Sequence, residues 1–257
     1  MNALFKFLLN IFPRTFLIRL SVTFQPLLKI IYNGSEFKDP IDGSTFRRFL
    51  PYGYENVRQN VLSPSTLSLE RHRLLWLFLK YKTDFFSAPH KLLHFAPEQA
   101  FYKRFKTLDH LEYTTTDINS PLADVKADIC DLPFEDDSFD VILCNHVLEH
   151  IKDDVKAMQE IFRVLKPGGW AILQIPQDLN RKETFEDDSI TDPKARTQIF
   201  GQYDHVRVYG LDYFEKLSSV GFDVHPVEYT NDFTEKEKTY YSLPQREFIP
   251  YVIKPRV

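Results

Sequence analysis

The sequence predicts an α/β fold: a doubly wound, mostly parallel sheet with an antiparallel last strand, preceded by a helical N-terminal arm. After Pro89, short apolar runs alternate with helical patterns, which is typical of parallel strands joined by crossover helices. Two of these runs, at 139–145 and 170–176, are mostly apolar, as in strands buried on both faces of a sheet. The last two runs are joined by a loop with no convincing crossover helix, which indicates an antiparallel final strand.

The individual elements follow from the spacing of apolar residues. The predicted helices cover residues 67–81, 98–108, 153–166 and 211–220. The predicted strands cover residues 91–95, 112–117, 139–145, 170–176, 222–229 and 247–254. Pro167-Gly168-Gly169 is expected to stop the third helix, and Gly221 to cap the fourth.

The chain of 257 residues suits one large domain with an appendage. We predict an arm at residues 1–32, an intermediate segment at 33–89 and the α/β domain at 90–257. Residues 33–70 read as irregular until the first helix begins. Residues 177–209 show little periodicity and are interpreted as a lid inserted in the domain, because long loops inside compact domains are usually functional.

The arm is both apolar and basic. Residues 1–32 contain four basic residues and no acidic one. Charges and prolines interrupt the apolar stretch well before the about 20 residues of a membrane span, and a small-residue signal cleavage site is not evident. Two interpretations of the arm therefore stay open. It forms one or two short amphipathic helices that lie on an anionic membrane surface, or it packs on the domain.

Composition narrows the classes of ligand. The chain has eight glycines, and none lies between Tyr54 and Pro167, so neither G-x-G-x-x-G nor a P-loop motif is present. This excludes a phosphate-cradling loop. The net charge of −4 gives no general footprint for nucleic acid. Cys130 and Cys144 form no disulfide or metal pattern, which favours a reducing, cytoplasmic compartment.

Polar residues follow the predicted strands, where ligands bind in sheets of this kind. The first strand leads into HFAPEQA at 94–100, and the second ends at Asp117, whose distance from Ala96 suits a carboxylate that holds ribose hydroxyls. A helix-capping or turn aspartate is the alternative. Asp128 is placed to accept a hydrogen bond from an exocyclic amine such as that of adenine.

Several motifs occur in fixed order between residues 128 and 176: LPF at 132–134, SFD at 138–140, VLEH at 147–150 and LKPGG at 165–169. This combination resembles the class I S-adenosylmethionine-dependent methyltransferases, specifically the type 11 family. Extended by the strand ends, the resemblance covers about residues 91–254. It implies a Rossmann-like sheet of seven strands, S-adenosylmethionine as cofactor, and methyl transfer as the activity.

The resemblance also implies a cofactor site at the strand ends. Asp117 would hold the ribose, and Asp128 with Ile129 would face the adenine. The first loop departs from the usual acid-x-G-x-G pattern and resembles a less common branch that reads H-x-APE, with His94 at the acid position. Glu98 would accept from the cofactor ammonium or simply sit at a helix start. The predicted cofactor contacts are Phe95, Ala96, Pro97, Glu98, Asp117, Ile118, Asp128, Ile129, Asn145 and His146.

That branch carries a zinc knuckle of the type C-P-x-C-G … C-P-x-C before S-L-E-R-H-R-L-L. Here SLERHRLL stands at 68–75, and the four thiolate positions hold Asp39, Asp42, Ser63 and Thr66. Because tetrahedral zinc prefers Cys or His, we interpret the segment as a degenerate knuckle without zinc. A weak Mg²⁺ or Ca²⁺ site on the two aspartates is the alternative, and no metal ligand is predicted elsewhere.

Catalytic candidates come from two loops. His146 and His150 follow the fourth strand, and the lid contributes Tyr203, Asp204, His205, Arg207 and Tyr209. We predict that His146 and His205 line the acceptor pocket as base or substrate ligands, whereas His150 reads as a helix-start residue bonded to backbone.

The acceptor is expected to be a lipid-linked or cell-envelope saccharide intermediate or a small metabolite, with peripheral membrane contact through residues 1–32. Two other classes of function stay open. One is a non-catalytic binding or scaffold protein that kept the fold. The other is an NAD-dependent reductase, which needs phosphate-binding N–H groups that this first loop is poorly built to offer.

Overall fold

The computed structural model describes residues 24–53 and 57–256. The chain divides into two compact units: the first comprises the chain up to Asp84 with Tyr229–Glu247, and the second comprises Phe85–Glu228 with Phe248–Val257. The return of residues 229–247 to the first unit was not predicted from the sequence. The predicted domain boundaries stay predictions. Most of the predicted arm lies outside the described residues; the part of the arm that is described begins with a helix at residues 24–31.

The elements of the described residues are as follows. The strands are β1 Asn33–Lys38, β2 Thr45–Phe46, β3 Leu50–Tyr52, β4 Arg58–Leu62, β5 His90–Phe95, β6 Leu111–Thr116, β7 Phe139–Cys144, β8 Leu165–Ile172, β9 Phe185–Glu186, β10 Arg207–Val208, β11 Asp223–Val227 and β12 Ile249–Ile253. The helices after residues 24–31 are α1 Glu70–Lys82, α2 Gln99–Phe105, α3 Asp154–Val164, α4 Pro193–Phe200, α5 Tyr213–Val220 and α6 Glu235–Tyr241. Short 3₁₀ helices cover Leu148–His150 and Tyr229–Asp232.

The central sheet of the second unit has the order β11-β12-β8-β7-β5-β6. β5 pairs in parallel with β6 and β7, and β7 pairs in parallel with β8. β12 is antiparallel to both β8 and β11, which confirms the predicted antiparallel last strand. The doubly wound α/β class is therefore confirmed.

The described sheet has six strands, so the expected count of seven is corrected. The segment after β6 contributes only an isolated parallel bridge between Thr116 and Val125. Residues 122–128 lack a continuous apolar run, and most of them are partly or fully exposed. A strand there would bury little apolar surface, which explains why the ladder stops after one bridge.

The strand β8 begins at Leu165 rather than at Trp170 as predicted, so Pro167-Gly168-Gly169 lies inside the strand. The helix α3 already ends at Val164. A Cβ built on Gly169 would lie 2.8 Å from the backbone oxygen of Asp140 on β7. Glycine is needed at this position because the two strands approach too closely for any side chain.

The first unit contains two antiparallel strand pairs, β1–β2 and β3–β4. The prediction that residues 33–70 are irregular is therefore wrong. These strands are short and interrupted by bulges, so their periodicity is too brief to be visible in the sequence. Among the described residues, no helix of either unit has the length and apolar character needed to cross a membrane.

Side chains at the knuckle positions are joined by direct hydrogen bonds. The buried carboxylate of Asp39 accepts from Thr66 Oγ1 at 2.5 Å and from Ser68 Oγ at 3.2 Å. Ser63 Oγ accepts from the backbone N–H of Thr66 at 3.4 Å. Asp42 pairs with Lys29 at 3.0 Å. These bonds link the two halves of the segment without a thiolate.

Arg73 on α1 is the largest fully buried side chain of the first unit. Its guanidinium donates to the backbone oxygens of Ser68 and Val61 at 2.7 and 2.9 Å. It also donates to those of Tyr241 and Ser242, each at 2.7 Å. Burial lowers the pKa of Arg73 to about 10, so the side chain stays charged at neutral pH. One cation thus ties residues 229–247 to the N-terminal part of this unit.

Candidate functional site

The strand order reverses between β5 and β7, so the chain forms a crevice at their carboxyl ends. Ala96 follows β5 with φ of 45°, and His146 follows β7 with φ of 54°. Both residues lie in the left-handed region, which is costly for side chains other than glycine. Such strained positions cluster at functional sites. The sheet thus places the two predicted loops, 95–98 and 145–146, at its switch point.

A hydrogen-bonded relay of four side chains crosses this crevice. His94 is fully buried, with Nε2 at 2.5 Å from Glu98 Oε2 and Nδ1 at 2.9 Å from the hydroxyl of Tyr113. Burial raises the pKa of Tyr113, so its phenol keeps its proton and can donate it to Nδ1. In that tautomer the Nε2–H of His94 donates to Glu98. Glu98 Oε1 accepts from Asn145 Nδ2 at 3.0 Å.

The relay explains the departure of this loop from the acid-x-G-x-G pattern. The carboxylate of this loop belongs to Glu98, four residues after the position where the usual pattern has its acid. His94 occupies that position and is hydrogen-bonded to Glu98. Asn145 Oδ1 is buried and has no hydrogen-bond partner in the described chain. An orphaned buried acceptor at a strand end is a feature that a bound ligand with an N–H group would satisfy.

The predicted ribose acid, Asp117, lies directly after β6. Its Oδ1 accepts from the backbone N–H groups of Asn119 and Ser120, both at 2.6 Å. Within the described residues, Oδ2 makes no hydrogen bond and is available to a ligand. The next side chain, Ile118, is 60% exposed although it is large and apolar. Asp128 is exposed and accepts from the backbone N–H of Cys130 at 2.9 Å.

Besides Asn145, three of the predicted cofactor contacts have buried side chains, all of them apolar. Phe95 and Ile129 belong to the hydrophobic core of the sheet, and Pro97 is also buried. Their backbone atoms are the parts that can face a ligand. Their side chains instead fix the positions of the loops that carry Ala96, Glu98 and Asp128.

Arg163 on α3 clamps the segment after Asp128. Its guanidinium donates to the backbone oxygens of Leu132 and Phe134 at 3.0 and 2.8 Å, and to Glu160 Oε2 at 2.8 Å. Glu160 Oε2 also accepts from the backbone N–H of Leu132 at 2.9 Å. The LPF motif is therefore a structural element that holds the turn next to Asp128.

Arg207 fastens the predicted lid, residues 177–209, to the loop after β7. The side chain is buried and donates to the backbone oxygens of Leu148, Ile151 and Lys152. It also donates to Glu186 on β9, which pairs with β10. The described lid thus has a short strand pair and a helix, α4, capped by Asp192. It is not the structureless loop that its weak periodicity suggested.

Tyr209 and Tyr203 are two further candidates from the sequence. In the structure, one is bonded to a buried acid and the other is exposed. The hydroxyl of Tyr209 donates to the buried carboxylate of Asp154 at 2.8 Å, and Tyr203 is 61% exposed. Together with Arg207, Tyr209 fixes the returning strand of the lid. The backbone N–H of Val206 donates to the carbonyl of Glu149 at 2.9 Å. This fixed strand brings His205 against the VLEH motif.

Four titratable side chains meet there. His146 Nδ1 lies 3.3 Å from Glu149 Oε1, and the rings of His150 and His205 lie edge to face with centroids 4.8 Å apart. His205 donates from Nδ1 to the carbonyl of Phe200 at 3.0 Å, and His150 donates from Nδ1 to that of Asp204 at 3.3 Å. Burial lowers the pKa of His205, so this imidazole is neutral at physiological pH.

The structure brings together His146 and His205, the two predicted catalytic residues, as parts of one cluster. Sequence reasoning missed Glu149, and it named His150 as a candidate but favoured a structural role for it. The backbone bond of His150 is present, but the same ring faces His205. The signal for both residues was available in the VLEH motif, whose last two side chains are polar at a buried turn.

Part of the chain is similar to known methyltransferases. Residues 87–173 match the family described as Methyltransferase domain. The chain is 51% identical over 45 residues to the ubiquinone/menaquinone biosynthesis C-methyltransferase of Vibrio campbellii, covering 18% of this chain and 17% of the relative. It is 45% identical over 49 residues to the demethylmenaquinone methyltransferase of Clavibacter sepedonicus, covering 19% and 20% of the two chains. These matches span about a fifth of each relative.

A solved structure supports the fold. The S-adenosylmethionine dependent methyltransferase from Mesorhizobium loti superposes with a TM-score of 0.50 at 15% identity, over 70% of this chain and 97% of that one. The family match and this fold confirm the class that the motifs predicted, and with it the expected cofactor. Residues 87–173 therefore match a methyltransferase domain, and the second unit has the class I, Rossmann-like methyltransferase fold.

Proposed function

We propose that this protein is an S-adenosylmethionine-dependent methyltransferase that binds its cofactor at the carboxyl ends of β5, β6 and β7. The observation that carries the proposal is the relay from Tyr113 through His94 and Glu98 to Asn145, which lies at the switch point of the sheet. It gives a half-buried carboxylate and an unpartnered amide oxygen at the place where the cofactor's ammonium group would bind.

The residues present fit this cofactor. Asp117 offers Oδ2 to the ribose hydroxyls, and the exposed side chain of Ile118 offers an apolar surface to the adenine ring. Asp128 would accept from the adenine amine. S-adenosylmethionine supplies an activated methyl group and carries no phosphate, so the glycine-poor loop after β5 is no obstacle to its binding.

The acceptor would bind between these loops and the lid. His146 is the best-placed base: its Nδ1 lies 3.3 Å from Glu149 Oε1, so Nε2 is the ring nitrogen that would take a proton from the acceptor. Nε2 is buried and has no partner in the described chain. A base oriented by a carboxylate in this way resembles the arrangement that activates hydroxyl nucleophiles in other enzymes.

Cofactor binding tests the proposal. Asp117→Asn keeps an oxygen for the turn at Asn119 but replaces one carboxylate oxygen by a donor, so it should weaken binding of S-adenosylmethionine by about 10- to 100-fold. Isothermal titration with S-adenosylmethionine, S-adenosylhomocysteine and NADH measures this directly. We expect the first two to bind to the native protein and NADH not to bind.

The matched control is Asp109→Asn, because Asp109 is exposed at the opposite end of the same strand. It should bind both sulfur ligands as the native protein does. If neither ligand binds to the native protein, the methyltransferase proposal is wrong. Binding of NADH instead would support the reductase, and binding of the cofactor without turnover on any acceptor would support the scaffold protein.

For the acceptor we propose a lipid-linked molecule at a membrane surface. The helical residues 24–31 expose Phe24, Leu27, Ile30 and Ile31, each by 47 to 75%. The surrounding sequence, residues 1–32, is basic without an acidic residue. Exposed apolar side chains next to basic ones are the features of a helix that lies on an anionic bilayer. The relatives that this chain matches over about a fifth of their length are named for demethylmenaquinone and for ubiquinone/menaquinone biosynthesis, and these names support the proposal.

Co-sedimentation with liposomes tests the membrane contact. We expect the full chain to sediment with vesicles that contain anionic lipid, and the binding to fall in high salt because charge contributes to it. Ile30→Glu should reduce the bound fraction strongly, whereas Ile199→Glu, a change at another exposed isoleucine, should not. Equal sedimentation of both variants would contradict a role for residues 24–31.

A further inference from the structure

We propose that Glu149, His150 and His205 bind a divalent transition-metal ion beside the methyl-transfer site. The sequence predicted no metal ligand in this domain. In the structure, one potential ligand atom from each of the three residues lies within 4.8 Å of the other two. A small rotation of side chains would bring such atoms to one ion, because ligand atoms lie about 2.0–2.2 Å from zinc.

Both imidazoles already make the hydrogen bond that a metal-binding histidine makes with its other ring nitrogen. Each donates its Nδ1–H to a backbone carbonyl of the lid, His205 to Phe200 and His150 to Asp204. This fixes the tautomer and leaves the lone pair of Nε2 for an ion. A metal-bound histidine almost always donates its other ring N–H to such an oxygen. The edge-to-face contact of the two rings does not by itself require both histidines to donate from Nδ1 to a backbone carbonyl.

Glu149 supplies an independent argument. It is 1% exposed, and its Oε2 is buried without a hydrogen-bond partner in the described chain. Oε1 faces His146, so the second oxygen is the one without an interaction. A buried carboxylate oxygen with no partner is costly, and a bound cation would offset that cost.

The donor set selects the class of ion. Two imidazole nitrogens and one carboxylate suit zinc, cobalt, manganese or iron, whereas Mg²⁺ and Ca²⁺ prefer oxygen ligands alone. Three protein ligands leave open positions for a substrate. If the proposed methyl transfer is correct, an acceptor oxygen bound there would become more acidic, and His146 would remove its proton from the adjacent position. The ion site itself does not depend on that activity.

The experiment is metal binding to the full chain, prepared without an affinity tag and stripped with a chelator. We expect Zn²⁺ and Co²⁺ to bind at one equivalent, and Mg²⁺ at the same concentration not to bind. Glu149→Gln and His150→Asn should each weaken Zn²⁺ binding by at least about 100-fold. His225→Asn, which removes an exposed histidine of β11, is the matched control and should leave the affinity unchanged.

A loss of metal binding could also come from a variant that is less stable, so a third variant is designed to add a spectroscopic signal. His205→Cys should retain Co²⁺ and add a sulfur-to-cobalt charge-transfer absorption in the near ultraviolet. Co²⁺ binding without that absorption, or Zn²⁺ binding that survives Glu149→Gln and His150→Asn, would overturn the site. Stoichiometric metal with no binding of S-adenosylmethionine would refute only the proposed function. Cofactor binding and methyl transfer by protein that takes up no metal would refute only this inference.

Discussion

Arg207→Met is expected to lower the free energy of unfolding of the methyltransferase domain by about 3–5 kcal/mol. The substitution keeps much of the apolar stem but removes the donors for the backbone carbonyls of Leu148, Ile151 and Lys152. It also removes a charge 3.6 Å from the buried carboxylate of Asp154. Urea denaturation followed by tyrosine and tryptophan fluorescence measures the change.

The same variant should lose methyl transfer by more than its unfolded fraction explains, because His205 would no longer be held against His150. Binding of S-adenosylmethionine should change less, since its proposed contacts lie on β5 to β7. Arg181→Met is the matched control: Arg181 lies on the same lid, its side chain is 43% exposed, and its ion pair with Asp178 is 3.9 Å long. It should change stability by less than about 0.5 kcal/mol. Equal effects of the two variants would contradict the anchoring role.

Arg73→Met is expected to destabilise the first unit by a similar amount, about 3–5 kcal/mol. Four backbone oxygens would lose the guanidinium donor: those of Ser68 and Val61 are buried, and those of Tyr241 and Ser242 are half-buried. Hydrogen exchange is the decisive measurement. Amides of residues 229–247 should lose protection together with those of α1, because one side chain joins the two segments.

The control is Arg58→Met, because the Arg58 side chain is 53% exposed and forms an ion pair with Glu70 at 3.2 Å. Exposed pairs of this kind contribute about 0–1 kcal/mol, so exchange in residues 229–247 should stay as in the native protein. If Arg73→Met leaves that segment protected, residues 229–247 are held by packing rather than by the buried cation.

Periodicity predicted the central sheet well because its strands are buried on both faces or bounded by clear helices. β7 and α3 were predicted to within two residues at each end. Periodicity failed to predict the segments that are held by hydrogen bonds from buried arginine side chains rather than by a regular row of apolar residues. The lid has a helix and a strand pair held by Arg207, and the first unit has four short strands around Arg73. A helix capped by Thr234 and Glu237 was also overlooked, although that capping box is visible in the sequence.

The candidate site was partly predictable for a related reason. Acids at strand ends, such as Asp117 and Asp128, can be found by counting from the first turn. The relay of His94, Glu98 and Asn145 joins residues from two strands that are neighbours only in the folded sheet. The meeting of Glu149 and His150 with His205 depends on where the lid returns. Contacts of that kind follow from tertiary structure, which spacing along the chain does not encode.

The position of β12 has a consequence for biosynthesis. It is the last of the six strands to leave the ribosome, yet it lies between β8 and β11 rather than at an edge of the sheet. Until it emerges, a nascent chain exposes the hydrogen-bonding edge of β8, a buried strand in the finished protein. Exposed apolar edges invite association with other chains. Successful production of this protein should therefore depend on slow translation or on chaperones that shield the incomplete sheet.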